Sequence, residues 1–107
     1  MQQKVYVVQE TSHDFSGAEA FGDLKFLSVD KTDDFHNLAN SEHNQRLLAH
    51  LRHGLRDFSK YDFLILTGSP YVSAAVMWIL GQRGQRQVNI LRWDNRDRVY
   101  VPLPMQF

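Results

Sequence analysis

At 107 residues the chain has the length of one domain, with no room for a second independent core. Twelve basic and twelve acidic residues cancel to a formal charge of +0, which excludes a general polyanion binder, and 43% hydrophobic residues exclude a disordered linker. The chain has no cysteine, so a disulfide framework, a thiol nucleophile and cysteine-ligated zinc are excluded as well.

Lys4 to Val8 is a β-branched and aromatic run that predicts a buried strand. The stretch from Asp14 to Phe21 predicts a short helix ended by Gly22, and Leu24 to Val29 predicts a second strand. Asp30 to Asn40 reads as a polar loop. Ser41 then predicts an N-cap, with Glu42 in the first turn, where the helix dipole favours a carboxylate. At about 100° per residue, Leu47, Leu48, Leu51, Leu55 and Phe58 share one arc, so an amphipathic helix is expected to reach Phe58.

Phe63 to Thr67 is apolar on both faces, the pattern of a central strand in a parallel sheet. Leu64 and Leu66 are therefore expected in the core, with Val76 of the next helix. Gly68-Ser69-Pro70 turns the chain, Ser69 as cap and Pro70 at the first helical position, where a missing N–H costs nothing. Tyr71 to Gln82 is apolar nearly all round and predicts a heavily buried helix. Val88 to Trp93, a turn at Asp94-Asn95-Arg96-Asp97 and Arg98 to Leu103 predict a terminal β-hairpin, whose Pro102 and Pro104 suit an edge strand.

Strands alternating with helices give an α/β domain spanning the whole chain, Rossmann-like or flavodoxin-like. Its mostly parallel sheet of four or five strands ends in the C-terminal β-hairpin. The expected order places the second strand outside the first, then the third, fourth and an antiparallel fifth. The start Met1-Gln2-Gln3-Lys4 has no secretory pattern, and the apolar run at Tyr71 to Leu80 is about half of what crosses a bilayer. A cytoplasmic protein without membrane contact is the expectation.

That order puts a topological switch between the first and third strands, where ligands favour the crevice beyond the strands' carboxyl ends. Glu10, Ser12 and His13 would line it from one side and Thr67, Gly68 and Ser69 from the other, with Arg92 and Asp94 at the end of the fourth strand. Free N–H groups opening a helix could receive a small anionic or nucleotide-like ligand, with His13 as an acid/base. The same residues also read as nothing more than a helix start and a polar loop. The chain contains no G-x-G-x-x-G, G-x-x-x-x-G-K-[ST] or G-x-S-x-G, and Pro70 suits an elbow serine poorly, so no catalytic residue is assigned.

His50-x-x-His53-x-x-x-Asp57 could converge on a metal from one helix face, but Arg46 shares that face and H-E-x-x-H is absent. Asp30, Asp33 and Asp34 lack the glycine and distal glutamate of an EF-hand loop. Solvated surfaces explain both groups, and neither a metal nor a cofactor is expected. Charge is uneven: eight acids face two lysines from Glu10 to Glu42, whereas five arginines (Arg83, Arg86, Arg92, Arg96, Arg98) face Asp94 and Asp97 further on. With Trp93 and Tyr100 among them, these arginines would suit nucleic acid; equally, they could match the acidic segment within the fold or across a dimer.

Val5 to Glu10, Tyr61 to Pro70 and Leu91 to Tyr100 together resemble segments of small phage-encoded α/β proteins of unknown function. The resemblance implies a compact accessory protein made during infection, in the host cell cytoplasm, that inhibits or redirects a host factor; it carries over no catalytic residue. Two main readings follow. One is a non-enzymatic binding or regulatory module whose partner is a host protein or a second copy, contacted through exposed Trp93, Tyr100 and Phe107. The other is a nucleotide- or small-anion-binding domain, enzymatic or not, using the crevice; nucleic-acid binding ranks behind both.

Overall fold

A computed structural model describes residues 3–28, 33–38 and 41–106. Strands β1 (Lys4–Gln9), β2 (Asp23–Ser28), β3 (Phe63–Ile65), β4 (Gln87–Asp94) and β5 (Val99–Gln106) form one sheet in the order β2-β1-β3-β4-β5. β1 to β4 run parallel, and β5 returns antiparallel to β4. Between them lie a 3-10 helix (Ser16–Phe21), α1 (Glu42–Gly54) and α2 (Pro70–Gln82). The α/β class, the strand order and the closing hairpin are those the sequence predicts.

The chain steps outward from β1 to β2, then back across β1 to β3 and on to β4. Right-handed crossovers therefore send the first connection to one face and the next two to the other. Alternate strand residues sort accordingly. Tyr6, Val8, Leu27, Leu64 and Val88 meet Leu47, Leu51 and Leu55 of the α1 segment and Val72, Val76, Ile79 and Leu80 of α2. Val5, Val7, Ile65 and Leu91 face the other way, under Phe15, Ala18 and Tyr100. One face thus carries two full helices, the other a single six-residue 3-10 helix.

Both helix starts follow the sequence. The Ser41 hydroxyl accepts from the Asn44 N–H at 3.1 Å, and the Ser69 hydroxyl accepts from the Tyr71 and Val72 N–H groups. α1 stops at Gly54, short of the expected Phe58. Leu55 and Phe58 remain buried, because Arg83 donates from its guanidinium to both of their carbonyls and holds the irregular turn against α2.

Three expectations need correction. β3 has only three residues, so Leu66 lies beyond it and is 38% exposed, whereas Leu64 and Val76 are fully buried as expected. α2 buries one stripe, not its whole circumference, since a single sheet face is available to it and Tyr71 and Trp78 stay exposed. β5 runs three residues past Leu103, to Gln106. Val29, at the end of the predicted second strand, is outside the described residues.

Leu64→Ala should cost roughly 2–5 kcal/mol in urea melts, the range for truncating a core leucine. Leu66→Ala should cost less than about 1 kcal/mol, since its side chain already meets solvent. Equal costs would show that β3 extends further than its three residues.

Candidate functional site

β1 and β3 are neighbours, with Val7 opposite Ile65, so the connections after them diverge from one point at the carboxyl edge. Gln9 closes that point. It is fully buried, its carbonyl accepts from the Thr67 hydroxyl at 2.7 Å, and its side-chain Oε1 accepts from the Ser69 N–H at 2.6 Å. Its Nε2 donates to the Asp33 carbonyl at 2.6 Å. Ser69 in turn donates from its hydroxyl to Asp34 at 2.8 Å.

The first N–H groups of α2, expected to receive an anion, thus already have partners: Gln9 at Ser69, and the Ser69 hydroxyl at Tyr71 and Val72. Gly68 passes over the Gln9 side chain with φ 84°, and a Cβ there would come within 2.8 Å of the Gln9 Cβ. Its missing side chain serves the fold. Glu10 is exposed, and its N–H donates to the Ser28 carbonyl at 3.0 Å.

The structure gathers a different set of groups one strand further along. The His13 ring meets Phe15, Trp93 and Tyr100 edge-on at centroid distances of 5.2, 4.9 and 6.1 Å. On one side of His13 is a cleft of about 730 Å³ whose lining includes Ser12, Asp14, Trp93, Arg98 and Tyr100. On the other is a more apolar groove of about 500 Å³, reached by Leu66, Thr67, Gly68, Leu103 and Met105. Of the six residues expected at the site, Ser12 and His13 line the cleft, His13, Thr67 and Gly68 line the groove, and Glu10 and Ser69 line neither.

Tyr100 was expected on the surface but is only 6% exposed, because its register opposite Trp93 turns the ring onto the thinly covered sheet face. Trp93 is half-buried, and Phe107 lies outside the described residues. The Tyr100 hydroxyl and the His13 Nε2 are both buried without a hydrogen-bond partner in the protein. Burial pushes the Tyr100 pKa up, and the nearby Asp14 carboxylate pushes it further. Asp14 itself is held below the usual aspartate range, chiefly by the Ser16 N–H that it accepts at 2.9 Å. A period-2 pattern in Val99 to Val101 signals a strand, but it cannot say which face will find cover.

The remaining candidates are dispersed. His50 Nε2 sits 2.7 Å from the Leu27 carbonyl, and His36 and His43 stack at 3.8 Å. Among the described residues no group of three or more His, Asp or Glu is placed to hold a metal ion, and Asp30 lies outside them. Arg83 is engaged with the Leu55 and Phe58 carbonyls of the turn after α1, at the opposite end of β4 from Arg96 and Arg98, so the arginines do not share one surface. The Asp94 carboxylate accepts from the Arg96 and Asp97 N–H groups and shapes the hairpin turn.

Residues 3–107 match the family described as Phage Pam3 gp32-like protein. The chain belongs to that family. It is thus a small phage protein, as the resemblance in its strands implied, and no curated protein or solved structure matches it. In this member of the Phage Pam3 gp32-like family, no helix among the described residues is long and apolar enough to cross a membrane.

Two outcomes check this geometry. Gly68→Ala should destabilise by about 1–3 kcal/mol in chemical denaturation, from the unfavourable φ and the contact with Gln9. The pKa values of Tyr6 and Tyr100 are both raised, chiefly by burial, so the folded state favours their protonated forms. The resulting stability is complete below the ordinary tyrosine value of about 10 and is lost as pH rises through the folded values. Denaturation midpoints should therefore fall as pH rises above about 10, less steeply in Tyr6→Phe/Tyr100→Phe.

Proposed function

We propose that this chain is a phage accessory protein of the host cytoplasm, working as a non-enzymatic binding module for another protein. The partner docks on the face of β5 that α2 leaves uncovered. One observation carries this reading: Val99, Val101, Leu103 and Met105 alternate along β5 and are 48%, 36%, 36% and 37% exposed. Alternate strand residues share a face, so these four form one apolar stripe beside Leu66. Contiguous apolar surface of this kind marks interaction sites in globular proteins.

The edge of β5 is less suited to a partner than its face. Pro102 and Pro104 have no N–H to give β4, so their place in the ladder puts the ring nitrogens at the outer edge. Two donors needed by an added strand are then missing, which blunts strand-to-strand pairing. What remains for a partner is side-chain packing onto the stripe and the adjoining apolar groove. The strand order, reversing between β1 and β3, supports reading the sheet as half of a Rossmann-like or flavodoxin-like fold, used here as a scaffold.

Val101→Glu with Leu103→Glu places two charges on the stripe without touching the core. The double variant should keep the wild-type melting temperature to within a few degrees and lose the protein retained by the wild type from infected-cell extract. Retention by both proteins alike would move the interface elsewhere. Sedimentation as a stripe-dependent dimer with nothing else retained would make the partner a second copy.

A further inference from the structure

We propose that the cleft between the 3-10 helix and the β4–β5 hairpin binds a mononucleotide, held by Tyr100, His13, Asp14, Trp93 and Arg98. This site shares Val99 with the apolar stripe and His13, Trp93 and Tyr100 with the adjoining groove, but it takes a different class of ligand from the protein-binding reading.

Three observations converge there. Tyr100 is more than nine-tenths buried, yet its hydroxyl has no partner in the protein, and the Nε2 of the half-buried His13, its ring centroid 6.1 Å from that of Tyr100, has none either. Buried polar groups are nearly always hydrogen-bonded; apart from the Tyr6 hydroxyl in the helix-covered core, the orphans among the described residues belong to two side chains that line one cleft of ligand size, which suits them to a contact from outside the protein. A hydroxyl that can donate or accept, next to an imidazole nitrogen, suits the mixed donor and acceptor edge of a heteroaromatic base.

The walls suit a flat ring as well. Trp93 and Phe21 are half-buried on the cleft, and edge-on contacts to His13 and Tyr100 fix the Trp93 ring at 4.9 Å from each. Bases stack on such aromatic surfaces with little regard for sequence.

The rim supplies the remaining groups. Arg98 has φ 54°, the one positive value outside glycine among the described residues. Glycine or asparagine would sit there more easily, so an arginine is kept at a local cost. Its guanidinium has no ion pair among the described residues, and a free planar cation is the group that grips phosphate. Across the cleft, the Asp14 carboxylate remains ionised and can accept from the hydroxyls of a sugar.

The test uses the full chain carrying Trp78→Phe, so that Trp93 alone reports, with AMP, GMP, CMP and UMP as probes and inorganic phosphate as a control. At least one mononucleotide should quench Trp93 and release or absorb heat in calorimetry, while phosphate alone does neither. Arg98→Gly should fold at least as stably and weaken that nucleotide roughly tenfold or more, the order of one charge-assisted contact, leaving the matching nucleoside unchanged. Tyr100→Phe should raise the melting temperature, because it removes a buried orphan, and weaken nucleotide and nucleoside alike. No response to any of the four at millimolar concentration would overturn the proposal. So would full affinity in both variants.

Discussion

The side chain of Gln9 is the joint on which the arrangement at the carboxyl edge of the sheet depends. A buried amide is tolerable only if both its ends are hydrogen-bonded, and here Oε1 accepts from Ser69 while Nε2 donates to Asp33. Those two bonds tie the start of α2 and the segment leading to α1 onto the end of β1. They also force Gly68 into a backbone form that lets it pass over the amide. At the switch point the first N–H groups of α2 are thus engaged by the chain itself.

The room for a site therefore lies beside β4. β3 ends at Ile65, while β4 continues to Asp94, so the hairpin extends past its neighbour and both of its faces are available. One face packs under the short 3-10 helix, which is too small to cover it with aliphatic side chains alone. Phe15, Phe21, Phe26, Trp93 and Tyr100 fill the space through edge-on contacts, and Phe15, Trp93 and Tyr100 meet the His13 imidazole. The other face has only part of α2 beside it, and Val101 and Leu103 remain at the surface.

Most of the fold was legible because its signals are local. Ser41, Ser69 and Pro70 announce helix starts through side-chain chemistry, and alternation with right-handed crossovers restricts the strand order to few choices. The errors arise where tertiary context decides. Phe63 to Thr67 reads as five strand residues, but the Thr67 hydroxyl bonds to Gln9 and the chain leaves the sheet before Leu66. Tyr100 and Val101 are sequence neighbours that both favour a strand; the 3-10 helix over one face buries the first and leaves the second 36% exposed. Of the residues expected at the crevice, Ser12 and His13 line the cleft beside the hairpin. Their partners Trp93, Arg98 and Tyr100 were read as a surface patch, since their convergence depends on hairpin register.

Local costs are not spread evenly over the molecule. The caps and strand ladders agree with the preferences of their residues, and in the helix-covered core the Tyr6 hydroxyl is the one buried side-chain group without a partner among the described residues. At the base of the hairpin, by contrast, a buried hydroxyl and an imidazole nitrogen lack partners and an arginine occupies a position suited to glycine. Phenylalanine and glycine would relieve two of these three conditions without altering the fold. Such tolerated costs at one cleft are what the proposed binding site would impose on a scaffold, because groups kept ready for a ligand cannot also be satisfied by the protein.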